Sequence, residues 1–300
     1  MWLAVFTKNR TNAAYAAARM GADRTARGFG VETRHYVPQK PDDVAEQIAL
    51  IEQALAARPD AFVVVPVHPT GVNAALRAIV ASGIPLIGYL NRYTEPGPVS
   101  FVGSDDYALG VRIATYLYEH LKGRGTVLVI EGPGESVTSL DRLRGFRDEQ
   151  KKYPGIRFVA TICGEYQRDA TIPAVRAVLE TEAAFDAVLA ANDVMALAAI
   201  EALDAAGRSS VVVGVNAVPD AIQSIKQGKL LATIDFDALK IAGVATEAAI
   251  RHLRGEAVPR EISLPVRIVD RSNYAEWDKS FEDRPLVKWQ DVITQAGSHS

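Results

Sequence analysis

The sequence has 300 residues, of which 48% are hydrophobic and 23% are charged, a composition typical of globular proteins and long enough for about two domains. The 33 basic residues nearly balance the 36 acidic ones, which argues against a surface built to bind nucleic acid. No apolar run approaches the roughly 20 residues of a membrane span. Cys163 is the only cysteine, which excludes an intrachain disulfide and a cysteine-rich zinc site.

The first third of the chain alternates apolar strand patterns with helical patterns. The sequence predicts strands at 3–6, 31–37, 61–67, 84–90 and 99–105, with helices at 12–27, 42–57 and 70–82 between them. Continuous apolar strands that alternate with helices are typical of a parallel sheet covered on both faces.

A second series of the same kind begins at Asp105. It predicts strands at 126–132, 156–163, 187–193, 211–217 and 230–237, with helices at 106–122, 138–152, 169–181, 193–206 and 219–227. A helix at 239–253 and a final strand near 262–269 follow. The predicted fold class is therefore α/β, with two doubly wound parallel-sheet units. The residues beyond 270, with Trp277 and Trp289, are expected to form an irregular tail packed on the second unit.

Polar and aromatic side chains follow the predicted strands, at the ends where open α/β sheets bind ligands. They are Asn12, Tyr15, Asn91, Arg92, Arg142 (in the helix behind "GPGESV"), Asn192, Asn216, Asp235, Phe236 and Asp237. If the two units face each other, we expect these side chains to meet in one cleft.

Some of these residues have a second interpretation. Asn192 stands at the start of a helix, so it is expected to act as an N-cap. Whether it also contacts a ligand is left open. For Asp105 and Asp106, capping or a role at a hinge is favoured. Arg142 is either a solvated side chain or, as its place in the first turn favours, a residue facing the cleft.

Signatures of catalysis are missing from the sequence. "GPGESV" lacks the third glycine of a dinucleotide fingerprint and the Lys-Ser/Thr pair of a P-loop. The histidines show no metal-ligand spacing, and no GxSxG is present. Cys163 follows an apolar strand and is interpreted as a buried small residue rather than a nucleophile. We therefore expect no catalytic residue, no cofactor and no metal site.

Four stretches of the sequence carry a resemblance to a known family. They are "TNAAYAAARMGA", "SLDRLRGF", "AANDVMALAAIEAL" and "VVVGVNAVPDAIQSIKQGKLLATI". Over residues 2–275 the chain resembles the periplasmic sugar-binding proteins of ABC transporters, in the ribose-binding-protein branch with the type I periplasmic binding protein fold. The last two stretches are specific together, whereas each would be weak alone.

The resemblance implies two lobes, joined by a three-segment hinge, that close on one solute. By the family pattern the lobes are 1–103 plus 237–263, and 104–236 plus 264–300. The implied ligand is a small sugar, polyol or sugar acid, and the implied partner is a membrane permease, with no nucleic acid. We expect a periplasmic monomer, although no signal peptide precedes the strand that begins at Trp2.

The resemblance also carries over a set of ligand-binding residues. They are Asn12, Tyr15, Asn91, Arg92, Arg142, Tyr166, Asn192, Asn216, Phe236 and Asp237. Three of them, Tyr15, Tyr166 and Phe236, offer flat apolar walls for the C–H faces of a sugar ring.

The sequence departs from the ribose pattern at three of these positions. Asn91 and Asn216 stand where the family usually has aspartate, and Phe236 stands where it usually has glutamine. Arg92 and Arg142 remain, and a buried guanidinium without a counter-charge is costly. A sugar acid would supply the missing charge, because arginine suits bidentate carboxylate recognition. A neutral sugar or polyol stays equally open, since Asp235 or Asp237 could pair with an arginine.

A second class of protein shares this fold, the effector domain of lactose-repressor-type transcription regulators. Such regulators carry an N-terminal helix-turn-helix, whereas this sequence begins with its first strand. The Trp-rich residues beyond 275 also favour a transport protein.

Overall fold

The computed structural model describes residues 1–181 and 184–296, which form an alternating series of strands and helices. In chain order these are β1 (Trp2–Phe6), α1 (Ala13–Phe29), β2 (Glu32–Tyr36), α2 (Val44–Ala56), β3 (Ala61–Val64), α3 (Asn73–Ala81), β4 (Leu86–Tyr89), β5 (Ser100–Gly103), α4 (Asp106–His120), β6 (Arg124–Glu131), α5 (Val137–Gln150), β7 (Gly155–Cys163), α6 (Arg168–Thr181), β8 (Ala187–Ala190), α7 (Asp193–Ala205), β9 (Val211–Val215), α8 (Pro219–Lys226), β10 (Ala232–Ile234), α9 (Ala238–Leu253), β11 (Glu261–Ser263), β12 (Ile268–Asp270), a 3-10 turn (Tyr274–Glu276) and α10 (Trp289–Ala296). In these described ranges no helix combines the length and the hydropathy of a membrane span.

The chain divides into two compact units. The first comprises Met1–Ser104, Asp237–Pro265 and the described residues from Phe281 onward, and the second comprises Asp105–Phe236 and Val266–Ser280. The chain therefore passes from one unit to the other four times. Three of these crossings lie close to the predicted lobe boundaries, and the fourth, after Ser280, was not predicted.

The first unit contains a six-stranded parallel sheet in the order β11-β5-β4-β3-β1-β2. β1 lies between β2 and β3, and its residues Leu3 to Phe6 are completely buried, as expected for a strand covered on both faces. Strand order reverses between β1 and β3. In open α/β sheets, the crevice beyond the carboxyl ends of the strands at such a reversal is where ligands bind.

The second unit repeats this arrangement with the order β12-β10-β9-β8-β6-β7. All neighbours are parallel except β12, which runs antiparallel to β10 at the edge. Its order reverses between β6 and β8, in the same way as between β1 and β3. The predicted α/β class with two doubly wound units is confirmed.

Helix α1 shows why the sequence forms these elements where it does. The Asn12 side-chain Oδ1 accepts a hydrogen bond from the Ala14 N–H at 2.9 Å and so caps the helix start. Gly30 ends the helix in a left-handed conformation, with φ of 70°. α1 packs against α9 so closely that a Cβ at Gly21 would overlap the backbone carbonyl of Leu239.

The final predicted strand is wrong as a single element. Residues 262–269 contain parts of two three-residue strands, β11 in the first sheet and β12 in the second. Pro265 lies between them, and it has no N–H with which to continue a ladder. The chain also leaves the first unit at this proline.

The predicted tail is wrong in part. Trp277 belongs to the second unit, as expected, but the chain from Phe281 belongs to the first unit and ends in α10. One Arg24 nitrogen donates to the backbone oxygens of Phe281 and Arg284, at 2.7 and 2.8 Å, and Arg251 stacks over Trp289 at 5.0 Å. Residues 297–300, which the prediction also assigned to the second lobe, lie outside the described residues.

Replacement of Gly21 by alanine tests the close approach of α1 and α9. We expect Gly21→Ala to lower the free energy of unfolding by about 1–3 kcal/mol, because backbone must move to make room for the methyl group. Gly28→Ala, in the same helix, is the matched control, since a Cβ there meets nothing within 4 Å. That control is expected to gain about 0.5–1 kcal/mol from helix propensity. Urea unfolding measures both, and equal effects of the two substitutions would contradict the packing described here.

Candidate functional site

In the second unit, the buried side chain of Arg142 connects three segments of the chain. Its Nε donates to Asp106 Oδ1 at 2.8 Å, and its Nη1 donates to the backbone oxygen of Ala191 at 2.7 Å, just after β8. The guanidinium carbon lies 4.9 Å from the centre of the Phe236 ring. Arg142 is only 3% exposed, so its interpretation as a solvated side chain is wrong.

Asp106 is the counter-charge of Arg142. The preceding residue, Asp105, acts as the N-cap of α4 through a 2.9 Å bond from the Ala108 N–H, so Asp106 is left to pair with the arginine. Burial raises the pKa of the Asp106 carboxyl, and the adjacent guanidinium offsets part of that rise. The capping role predicted for this acidic pair is therefore confirmed for Asp105, while Asp106 anchors the site.

Tyr166 also lies at the carboxyl end of the second sheet, in the loop after β7. Its φ of 56° places it in the left-handed region, and its ring packs over Gly132, where a Cβ would overlap the ring atoms. Burial raises the pKa of the Tyr166 hydroxyl to about 12, so the hydroxyl stays protonated near neutral pH. Gly132, in "GPGESV", thus leaves space for the aromatic ring of Tyr166. The sequence alone did not indicate this role of the glycine.

Asn192 and Asp193 fix the start of α7. Asn192 Oδ1 accepts from the Met195 N–H at 2.9 Å, which confirms the cap and leaves its contact with a ligand as a prediction. Asp193 is 1% exposed and accepts two bonds, from the Thr233 hydroxyl at 2.7 Å and from the Val218 N–H at 3.0 Å. It therefore ties α7 to β10 and to the loop after β9. Burial raises the pKa of Asp193 to about 6.

Asn216 occupies the end of β9 with an unusual backbone. Its φ is 121°, a conformation that favours glycine, and its N–H donates to the Ile234 oxygen at 2.8 Å. Its side-chain Oδ1 is buried and has no hydrogen-bond partner within residues 1–181 and 184–296. Buried acceptors are nearly always paired, so this oxygen is suited to accept a donor from a bound molecule.

In the first unit, the structure brings together residues that follow β1 and β4. The Tyr15 hydroxyl donates to Asn91 Oδ1 at 3.3 Å. Asn12, one turn before Tyr15, uses its Oδ1 for the cap of α1. Three of the predicted residues, Asn12, Tyr15 and Asn91, therefore lie at one end of the first sheet, and their contact with a ligand stays a prediction.

Arg92 lies apart from the buried groups. Its side chain is 52% exposed, donates twice to the carboxylate of Glu261 at 3.0 and 3.3 Å, and stacks 4.3 Å from the centre of the Phe101 ring. Glu261 is in β11, next to β5 in the sheet. An exposed pair of this kind contributes little to stability, but it does hold the guanidinium in place.

Asp235 and Asp237, on either side of Phe236, have partners other than the arginines. Asp237 caps α9 by accepting from the Lys240 N–H at 3.1 Å, and its Oδ2 lies 2.7 Å from Lys240 Nζ. Asp235 accepts from the Trp277 indole N–H at 3.0 Å. These contacts do not involve Arg92 or Arg142, whose carboxylate partners are Glu261 and Asp106.

The structure contradicts the premise from which the sequence analysis derived the sugar-acid hypothesis. That hypothesis required Arg92 and Arg142 to lack counter-charges. Asp106 neutralises Arg142, and Glu261 neutralises Arg92. Neither arginine therefore calls for an anionic ligand.

The sequence interpretation did not identify Lys8 and Asn9, in the loop after β1, as buried polar residues. They are 5% and 3% exposed, and Asn9 Oδ1 accepts from the Asn12 N–H at 3.0 Å. The available signal was a lysine and an asparagine one residue beyond a fully apolar strand. Hydrophobic periodicity does not reveal that such residues are buried.

Cys163 does not have the predicted environment. It is exposed at the end of β7, an edge strand, whereas the sequence suggested a buried residue. Its thiol lies 3.1 Å from Glu165 Oε1, and partial desolvation of the sulfur together with that hydrogen bond raises its pKa to about 11. A thiol that is protonated at neutral pH is a weak nucleophile.

The fold is that of a two-lobed α/β binding protein. The chain belongs to the periplasmic binding protein family, because the family described as "Periplasmic binding protein domain" matches residues 3–257. This membership supports a solute-binding role in ABC transport and not that of a repressor's effector domain.

The chain is also similar in sequence or structure to individual solute-binding proteins. A Rhizobium meliloti protein named for rhizopine binding is 33% identical over 246 residues, covering 79% of each chain. A ribose import binding protein of Bacillus subtilis is 29% identical over 270 residues, covering 89% of this chain and 85% of its own. A solved structure of an ABC transporter solute-binding protein from Actinobacillus succinogenes with bound D-allose has a TM-score of 0.87 at 25% identity, over 91% of this chain and 99% of its own.

The raised pKa of Asp193 predicts a pH dependence of stability. Between about pH 4 and pH 6 the unfolded carboxyl has lost its proton while the folded one keeps it, so stability falls as the pH rises through this window. Asp193→Asn does not titrate. We therefore expect the stability advantage of the unmodified protein over this variant to shrink by up to about 3 kcal/mol between pH 4 and pH 7.

Urea unfolding at four pH values between 4 and 7 measures this difference. The same substitution at exposed Asp220, in the first turn of α8, controls for the change of residue type. A difference that stays constant or widens as the pH rises would show that Asp193 is not the titrating group.

Proposed function

We propose that this chain captures a small polyhydroxylated solute, a sugar, a polyol or a sugar acid, for an ABC transporter. The observation that carries this proposal is the buried Oδ1 of Asn216, an acceptor without a partner in the part of the chain that the structure describes. Relatives of the chain bear names for ribose import and rhizopine binding, and a neighbour in fold holds D-allose. A sugar hydroxyl is a donor of the size that such an acceptor requires.

The residues around the strand ends suit the two kinds of surface that a sugar presents. Phe236 and Tyr166 in the second unit, and Tyr15 in the first, offer ring faces to the apolar C–H surfaces of a pyranose or an inositol. Asn91, Asn192 and Asn216 offer amides, which both donate and accept, as hydroxyl groups do. Together with Asn12 and Arg142, these are the residues we propose to contact the solute.

We infer that capture works by closure of the two lobes about their connecting segments, which is the established way for such folds to enclose a ligand. The lobes would be the two compact units. The polar groups of each unit lie at the carboxyl ends of its own sheet, which is where open α/β sheets bind ligands. We further propose that the closed form is recognised by a membrane permease outside the cytoplasmic membrane, and that the solute is released chemically unchanged.

Asn216→Gly tests the proposed contact without straining the backbone. Glycine is favoured at a φ of 121°, so this substitution removes the amide and keeps the fold. We expect solute affinity to fall by about 10- to 100-fold, as the loss of one buried hydrogen bond predicts, while the unfolding temperature of the free protein stays the same or rises.

The ligand is first found by thermal-shift screening of pentoses, hexoses, polyols and sugar acids, and its affinity is measured by calorimetry. Lys122→Gly is the matched control, because Lys122 is an exposed residue with φ of 57° in the turn between α4 and β6, before the amino end of that strand and not at a carboxyl end. It should leave affinity unchanged. Unaltered affinity in Asn216→Gly, or no binding of any solute in the screen, would count against the proposal.

A further inference from the structure

The chain turns after β9 through two consecutive non-glycine residues with positive φ, which is 121° at Asn216 and 52° at Ala217. Residues with a Cβ rarely adopt such conformations, and alanine has no polar group to offset the strain through a local hydrogen bond. Backbone strain of this kind persists where the surrounding structure enforces it. The strained turn carries the Asn216 side chain, whose buried Oδ1 has no partner in the described ranges.

Thr233, in β10, holds this turn through its hydroxyl group. The residue is completely buried, and its Oγ1 accepts from the Ala217 N–H at 3.3 Å. The same hydroxyl donates to Asp193 Oδ1 at 2.7 Å. Because a hydroxyl has one proton to donate, donation to the carboxylate leaves its lone pairs for Ala217. The N–H, the hydroxyl and the carboxylate therefore form a chain of hydrogen bonds with one direction.

Asp193 holds the residue that follows the turn. Its Oδ2 accepts from the Val218 N–H at 3.0 Å. A Cβ at Gly214, in β9, would overlap Asp193 Oδ1, so the carboxylate packs directly on the strand that leads into the turn. Burial raises the pKa of Asp193 to about 6, and the hydrogen bonds from Thr233 and Val218 oppose that rise. Well above this pH the carboxyl is ionised and acts only as an acceptor.

These bonds fix the main chain around Asn216 and leave its side chain unused. They engage the N–H groups of the two residues that follow it. On the other side, the N–H of Asn216 itself donates to the Ile234 oxygen at 2.8 Å. The amide is thus set in place by its own backbone, as expected of a binding group that is positioned before its ligand arrives.

We infer that Thr233 and Asp193 are positioning residues for the solute, because they hold the strained turn that directs the Asn216 amide. The inference rests on the proposed function, in which Asn216 contacts the solute. Without these bonds the turn can relax toward negative φ, which turns the amide out of its direction. Binding must then restore the strained form, so affinity falls even though the lost hydroxyl makes no contact with the solute.

Thr233→Val tests the inference, because valine is similar in shape to threonine and lacks the hydroxyl. With the solute that the thermal-shift screen identifies, calorimetry at about pH 8, where Asp193 is ionised, compares the affinities. We expect Thr233→Val to bind about 10-fold more weakly than the unmodified protein. Thr233→Ser keeps the hydroxyl and should retain the affinity.

A double-mutant cycle distinguishes positioning from a general structural role. In the Asn216→Gly background there is no amide to position, so the addition of Thr233→Val should cause no further loss of affinity. Thr246→Val is the matched control, because Thr246 is also completely buried and donates its hydroxyl to the Ala242 oxygen at 2.8 Å within α9. This control should leave affinity unchanged.

Two results would overturn the inference while the proposed function stands. One is a Thr233→Val variant that binds as tightly as the unmodified protein, and the other is an equal loss of affinity with and without the Asn216 amide. If Thr233→Val does not fold, Asp193→Asn takes its place in the cycle, since an amide nitrogen cannot accept and one of the two bonds is lost. If the unmodified protein binds no solute at all, the proposed function fails and the inference with it.

Discussion

Arg142 sets the geometry of the candidate site in the second unit. A guanidinium that is 3% exposed must have its charge and its N–H groups satisfied by protein atoms, and those atoms come from three separate segments. Asp106 holds it from α4, the Ala191 backbone holds it from the end of β8, and Phe236 lies against its face. Removal of one partner would leave a charge buried without compensation, so the three segments depend on each other.

The helix caps show that a structural role and a binding role are compatible in one side chain. Asn12 and Asn192 each use the carbonyl oxygen of the amide to cap a helix. The cap engages only that oxygen, and an amide also carries two N–H donors. Capping fixes the rotamer and so directs the remaining donors. Asp237 caps α9 in the same way but is acceptor-only and already bound to Lys240, which makes it the least suited of the predicted residues to meet a solute.

The elements of the fold were predictable because the central strands of each sheet are buried on both faces, and continuous apolar runs such as Leu3–Phe6 mark such strands directly. Strand order was not predictable, since periodicity within one strand carries no information about its neighbours.

The same limit applies to the site. Arginine and asparagine were recognisable after strands, but the pairing of Arg142 with Asp106, or of Arg92 with Glu261, joins residues far apart in sequence. Lys8 escaped notice because its burial depends on how the loop after β1 folds.

The discontinuous make-up of the first unit has a consequence for synthesis on the ribosome. The chain enters this unit three times, and α9, which covers α1, is translated only after Asp105–Phe236 is complete. Until then β5 is an open sheet edge, because β11 has not been made, and α1 lacks the helix on which Gly21 packs. The second unit, largely one continuous segment, can therefore complete most of its sheet first. During elongation the N-terminal segment therefore leaves apolar surface and a sheet edge uncovered, although it leaves the ribosome first.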